Sequence, residues 1–290
     1  MRTFADSNPV ASAIYFFSVT GIAMFSANPV ISAISLVGAI TLYLMNNGRK
    51  SLSLHLFSAG LFAVMALVNP LVSHNGATVL FVMNNNPITL EALIYGVCAA
   101  VTVIAVLYWF RSFSDVMTAD KLLYLFGALS PKLALTLSMA LRYVPLFGAQ
   151  IKKVHASQKA LGLYKDENIV DSFKGGMRIF SIMITWALEN GIVTADSMTA
   201  RGYGAGKRSR FSIFRFKLDD VLLICAVLAL STVTLFGVRN ADFEFYPYIS
   251  TPEITAEVAV GYVSYALMTV LPVIIAVKEE LKWKYLKSKI

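Results

Sequence analysis

The sequence predicts an all-α polytopic membrane protein with about six transmembrane helices and long cytoplasmic or interfacial helices. Three observations lead there. The 290 residues have a mean hydropathy of +0.66, with 57% hydrophobic and only 14% charged residues, more apolar surface than one soluble core could hide. Apolar runs recur along the chain at close to the ~20 residues that cross hydrocarbon. Most of the Lys and Arg fall between about Arg111 and Asp220, separating four of those runs from the last two.

The runs are Pro9 to Phe25, Val30 to Met45, Leu52 to Val72, Leu90 to Phe110, Val221 to Val238 and Ala259 to Val277. Only Ala27, Asn28 and Pro29 part the first two from each other, so these form either one kinked element or a tight helical hairpin. Three regions follow: N-terminal transmembrane helices over 1–110, a cytoplasmic helical region over 111–220, and C-terminal transmembrane helices with a basic tail over 221–290.

Lys and Arg near span ends stay on the cytoplasmic side, which sets the orientation. Arg49 and Lys50 mark an inner loop. From His74 to Thr89 there is no Lys or Arg, and from Arg239 to Glu257 a single Arg faces Asp242, Glu244, Glu253 and Glu257, so both segments read as outside. The tail with Lys278, Lys282, Lys284, Lys287 and Lys289 reads as inside, and even parity puts the N-terminus inside too. Topology and anionic lipid account for the net charge of +8, and no nucleic-acid-binding module accompanies it. Arg2 to Asn8 mixes acid and base without a small-residue cleavage site, which predicts no removable leader. Cys98 and Cys225 lie inside apolar runs without CxxC spacing and read as packing residues.

Chemistry at depth needs ionisable groups, each costing roughly 2.5 to 3.5 kcal/mol at mid-bilayer. The runs hold almost none. Glu91 and Glu257 sit at outer ends, and His55 near an inner end reads as a hydrogen-bonded interface residue. His55, His74 and His155 lack a His or carboxylate at i+3 or i+4, so no metal site is expected. Gly202-Tyr203-Gly204-Ala205-Gly206 lacks the spacing and Lys-Ser/Thr of a phosphate loop, so no nucleotide or other cofactor is expected on this chain. Asp115 with Asp120, and Asp219 with Asp220, read as solvated helix ends rather than an acid-base site.

In the middle region, Pro131 and Pro145 predict a break or kink in the apolar stretch from Lys121 to Phe147. Lys121, Lys132 and Arg142 recur along it as snorkelling cations, which makes these interfacial helices and not a further crossing. After Pro145, Ile151, Val154 and Leu161 share one face while Lys152, His155 and Lys159 share another, predicting an amphipathic helix that ends in Ala160, Leu161 and Gly162. A second unit, apolar over Met177 to Val193, ends in Ala200, Arg201 and Gly202, with Asp196 five residues before Arg201. Each Gly supplies the left-handed turn that closes a helix. An Arg there either favours the negative helix end or makes a bidentate contact with a carboxylate of another protein. Lys207, Arg208 and Arg210 follow, a run that reads as lipid-binding or topological.

Four runs carry a family resemblance: Asn86-Pro87-Ile88-Thr89-Leu90-Glu91, Asp120-Lys121-Leu122-Leu123-Tyr124-Leu125-Phe126-Gly127, Ser138-Met139-Ala140-Leu141-Arg142-Tyr143-Val144-Pro145 and Ala195-Asp196-Ser197-Met198-Thr199-Ala200-Arg201-Gly202-Tyr203-Gly204. The chain resembles the transmembrane T component of energy-coupling factor transporters, the family that includes CbiQ. The resemblance implies a non-catalytic helical scaffold whose coupling helices end in grooves of two ABC-type ATPase subunits. A small membrane S component would capture the vitamin or metal ion. Carried over by position, Ala200, Arg201 and Gly202 dock one ATPase and Ala160, Leu161 and Gly162 the other, with Arg142, Pro145 and Asp196 in support. The chain departs from the family at Leu161, where Arg is common: a Leu cannot make the ionic contact, so that dock relies on apolar insertion or on neighbours such as Lys159. Two other readings stay open: a membrane anchor or assembly scaffold for a soluble complex, without transport, and an enzyme acting on lipid head groups.

Overall fold

The computed structural model describes residues 7–26, 28–47, 52–73, 75–83, 86–163, 169–206, 214, 216–239, 241, 243–250 and 255–287. The basic run at Lys207, Arg208 and Arg210 lies outside them, as do Arg2, Arg49, Lys50, His74, Asp242, Glu253 and Lys289. The described residues form nine helices and one two-stranded sheet. In chain order these are α1 (Pro9–Phe25), α2 (Pro29–Asn47), α3 (Leu52–Val72), β1 (Val79–Met83), β2 (Asn86–Thr89), α4 (Leu90–Val116), α5 (Ala119–Leu129), α6 (Pro131–Ala160), α7 (Ile169–Ala200), α8 (Leu218–Val238) and α9 (Ala256–Lys287). The molecule is an all-α polytopic membrane protein.

Five helices, α2, α3, α4, α8 and α9, are long and apolar enough to cross a membrane. The expected sixth span, α1, has 17 residues and rises ~25 Å, short of ~30 Å of hydrocarbon. Its start and that of α2 follow one local rule. Asn8 and Asn28 each accept the backbone N–H two residues on, from Val10 and Val30 at 3.0 Å, and each is followed by a Pro whose missing N–H costs nothing in a first turn. The pair is therefore two separate helices and not one kinked element.

Contacts divide the chain into two compact units, one of Met1–Leu122 with Phe214–Ile290, the other of Leu123–Ile213. The first holds α1 to α4, α8, α9 and the antiparallel β1–β2 hairpin. Its core stacks Tyr15, Phe16 and Trp109 edge to face, and the buried polar ends are satisfied: the Trp109 Nε1–H donates to Ser35 Oγ at 2.9 Å and the Tyr265 hydroxyl to the Val19 carbonyl at 3.2 Å. Close helix approach rests on glycine. A Cβ at Gly237 of α8 would stand 2.7 Å from Gly261 Cα of α9, so a side chain there forces the two helices apart.

Several residues differ from expectation because their neighbours are distant in sequence. Asp220 is 9% exposed, not a solvated end; its carboxylate accepts the Asn8 N–H at 3.2 Å and the Lys217 N–H at 3.0 Å, tying α8 to α1. Glu91 is 2% exposed and accepts both the N–H and the hydroxyl of Thr78, which fastens the hairpin approach to α4. Lys121 is 5% exposed rather than snorkelling, while Lys132 and Arg142 are exposed. Asp115 pairs with Arg111 at 3.6 Å in the last turns of α4, which continues past Phe110. His55 Nδ1 lies 2.6 Å from the Tyr108 hydroxyl.

Candidate functional site

The second unit contains α6 and α7, of 30 and 32 residues. Pro131 starts α6 at its first turn, and α6 then runs unbroken through Pro145. The break expected at Pro145 does not occur. The proline removes one bond, to the Leu141 carbonyl, and both residues are exposed, so water can satisfy the freed group.

The two helices are joined by aromatic and hydroxyl contacts. Phe147 stacks on Tyr143 at 5.8 Å and meets Trp186 edge-on at 5.5 Å. The Tyr143 hydroxyl lies 3.0 Å from Thr194 Oγ1 and 3.4 Å from the Asn190 carbonyl. At the other end of the pair, Arg178 of α7 donates to the Leu163 carbonyl, just past α6, at 3.1 Å. Residue 143 lies against 190 and 194, and residue 163 against 178, so the helices run antiparallel and their C-terminal ends point apart. From Arg178 to Arg201 is 23 residues, ~35 Å of helix at 1.5 Å per residue.

Both ends close in the same way. At the end of α6, Gly162 has φ +68°, its N–H bonds to the Lys159 carbonyl at 3.0 Å, and the Leu163 N–H reaches back to Gln158 at 3.0 Å. At the end of α7, Gly202 has φ +79°, its N–H bonds to Thr199 at 2.9 Å, and the Tyr203 N–H reaches back to Met198 at 3.0 Å. This paired 5→2 and 6→1 pattern around a left-handed glycine is the Schellman motif. It satisfies two carbonyls per end and lifts the residue before the glycine, Leu161 or Arg201, onto the surface. Leu161 is 69% exposed, and Arg201 is exposed beside exposed Ala200.

Each triplet is thus a compact projecting corner, and the two corners stay separate. Asp196 lies in the last turns of α7, where its carbonyl accepts the Thr199 hydroxyl at 2.8 Å. Arg142 and Pro145 flank Tyr143 at the crossing, which meets α7 at Thr194, six residues or ~9 Å of helix before Ala200, and both lie fifteen or more residues before Ala160. Sequence reasoning missed the crossing residues and Arg178. The polar side chain of Asn190, inside the apolar stretch Met177 to Val193, gave no pointer to the crossing: its amide donates to the Trp186 carbonyl of its own helix, and Tyr143 meets the Asn190 backbone carbonyl. Among the described residues, no group of three or more His, Cys, Asp and Glu side chains could hold a metal ion.

A family model described as cobalt transport protein, CbiQ, matches residues 2–213, a stretch that contains both corners. Among curated proteins, the energy-coupling factor transporter transmembrane protein EcfT 1 of Listeria monocytogenes is 30% identical over 101 residues, covering 34% of this chain and 38% of that protein. EcfT of Listeria innocua is 32% identical over 111 residues, 38% of this chain and 42% of its own length. EcfT of Streptococcus thermophilus is 29% identical over 118 residues, covering 40% and 45%. The chain spans less than half the length of each of these relatives. The family match covers nearly three quarters of the chain and includes the whole antiparallel helix pair with its two capped ends: this chain belongs to the CbiQ cobalt transport protein family.

Proposed function

We propose that this chain is the energy-coupling transmembrane subunit of an importer, passing ATP-driven motion from two ABC-type ATPase subunits to a small membrane S component that captures a vitamin or metal ion. What carries the reading is the pair of identically capped corners at opposite ends of one crossed helix pair. A single small groove cannot take both, because ~35 Å of helix lies between them, so each corner meets its own partner surface. Ala200, Arg201 and Gly202 dock one ATPase, with the guanidinium on an acidic group. Ala160, Leu161 and Gly162 dock the other through an apolar contact. The names of the EcfT relatives support the same assignment.

In this reading nucleotide closes the two ATPases, the corners move with them, and the crossing at Tyr143, Phe147 and Trp186 converts that movement into a change of angle between α6 and α7. The chain itself is non-catalytic and binds no cofactor. It sits in the cell membrane, and with α1 as the sixth crossing, at the lower end of the ~17–25 residues that span hydrocarbon, both termini are cytoplasmic. The test is purification of the tagged chain from its native host in mild detergent. Two ABC ATPases and a small hydrophobic protein should accompany wild type, and both ATPases should decline with Arg201→Glu. Equal ATPase recovery in the two would remove the docking assignment. A chain that brings down a soluble complex but supports no nucleotide-dependent uptake would be a membrane anchor instead.

A further inference from the structure

The first unit carries a second candidate binding site, away from the capped helix ends. A groove of about 850 Å³ runs between α1 and α8, walled by Phe17, Gly21, Leu235 and Val238. It extends from Phe17 to Phe25, eight residues or ~12 Å of helix.

The groove's polar groups divide sharply. Along the walls they are already used: Ser231 and Thr234 donate to the carbonyls of Val227 and Leu230, both at 2.7 Å, and the Asn28 amide donates to the Ala241 carbonyl and the Tyr262 hydroxyl. At the mouth they are not. Ser26 Oγ is buried and finds no hydrogen-bond partner among the described residues, and Arg239 and Glu244 line the same opening with no ion pair joining them. A buried hydroxyl without a partner is destabilising, and a ligand accepting its hydrogen bond would relieve that cost. The lining thus offers an apolar slot, a buried hydroxyl, one cation and one anion.

We propose that this groove holds one phospholipid with a primary-amine head group, its phosphate on Arg239 and Ser26, its ammonium on Glu244, and an acyl chain along Gly21. Gly21 makes the slot, since nothing stands within 4 Å of where its Cβ would be. A choline head group keeps the charge but has no N–H to donate, and a glycerol head group has no cation, so Glu244 discriminates against both.

The test uses the full chain in nanodiscs of equal phosphatidylethanolamine, phosphatidylcholine and phosphatidylglycerol, with retained lipid read by native mass spectrometry after mild detergent release. Wild type should keep one lipid, with phosphatidylethanolamine enriched about two- to fivefold over its share, the size expected of one partly exposed ion pair. Gly21→Leu should expel it, and Glu244→Gln should keep a lipid but lose the preference. Should Gly21→Leu fail to fold, Glu244→Gln at its exposed position still decides. Retention in the bulk ratio by wild type, or a preference unchanged by Glu244→Gln, overturns the proposal. So does a cysteine at Gly21 that crosslinks to a protein segment in native membranes, which would make the occupant a partner helix.

Discussion

The ends of α6 and α7 share a backbone and differ in chemistry. Both close through a left-handed glycine and the same two back-bonds, and both lift one side chain outward beside an alanine. At α6 that side chain is Leu161, at α7 Arg201. The cap is a local device written by Ala-x-Gly and indifferent to x. The projecting residue is free to be chosen for its partner. The comparison teaches that presentation and recognition are separable here: the glycine fixes where the corner is, and its neighbour fixes what the corner can bind.

The largest test of that difference reverses the charge at one corner. On the proposed docking, Arg201→Glu puts a like charge in place of the cation of a desolvated pair, and losses of ~2 to 5 kcal/mol for breaking such pairs correspond to about 30-fold or more in ATPase affinity. The outcome is read by titrating ATPases onto the nanodisc-embedded chain. Next come the glycines, where the two ends should behave alike. Nothing lies within 4 Å of a Cβ at Gly162 or Gly202, so the cost of Gly162→Ala or Gly202→Ala is that of left-handed backbone alone, ~1–2 kcal/mol at each. Hydrogen exchange at the amides of Leu163 and Tyr203 should rise about equally. Unequal responses would mean that the corners do not share a frame.

A smaller effect separates them again. The end of α6 has an outside tether, the Arg178 bond to the Leu163 carbonyl. Arg178→Gln should loosen that corner by ~1 kcal/mol or less, given its exposure, and leave the amides around Gly202 unchanged. Leu161→Glu breaks no ion pair but puts a charge into an apolar contact, and its loss of ATPase recovery should stay below that of Arg201→Glu.

Much of this was legible in the sequence. The apolar runs became helices, because length and hydrophobicity are local quantities, but α4 continues six residues past Phe110 and α9 ten past Val277, where polar residues extend the helix beyond the apolar run. Both corners were visible too, because glycine after an apolar-periodic run carries its own conformational reason. What escaped depends on long-range partners. Asp220 and Glu91 look like ordinary helix-end acids until Asn8 and Thr78 arrive to bond them. Pro145 looks like a break until the exposure of its turn removes the penalty. Arg178 cannot be singled out among the Lys and Arg of the middle region, since its partner is a backbone carbonyl 15 residues earlier.

The most direct measurement of the central claim is a side-by-side titration of the two ATPases against wild type, Arg201→Glu and Leu161→Glu, each in nanodiscs and each shown to be folded. The expected loss is about 30-fold or more for Arg201→Glu, following the ~2–5 kcal/mol scale of a broken desolvated pair, and clearly smaller for Leu161→Glu. ATPase binding by Arg201→Glu equal to wild type would contradict it, and the two capped corners would then be helix ends and nothing more.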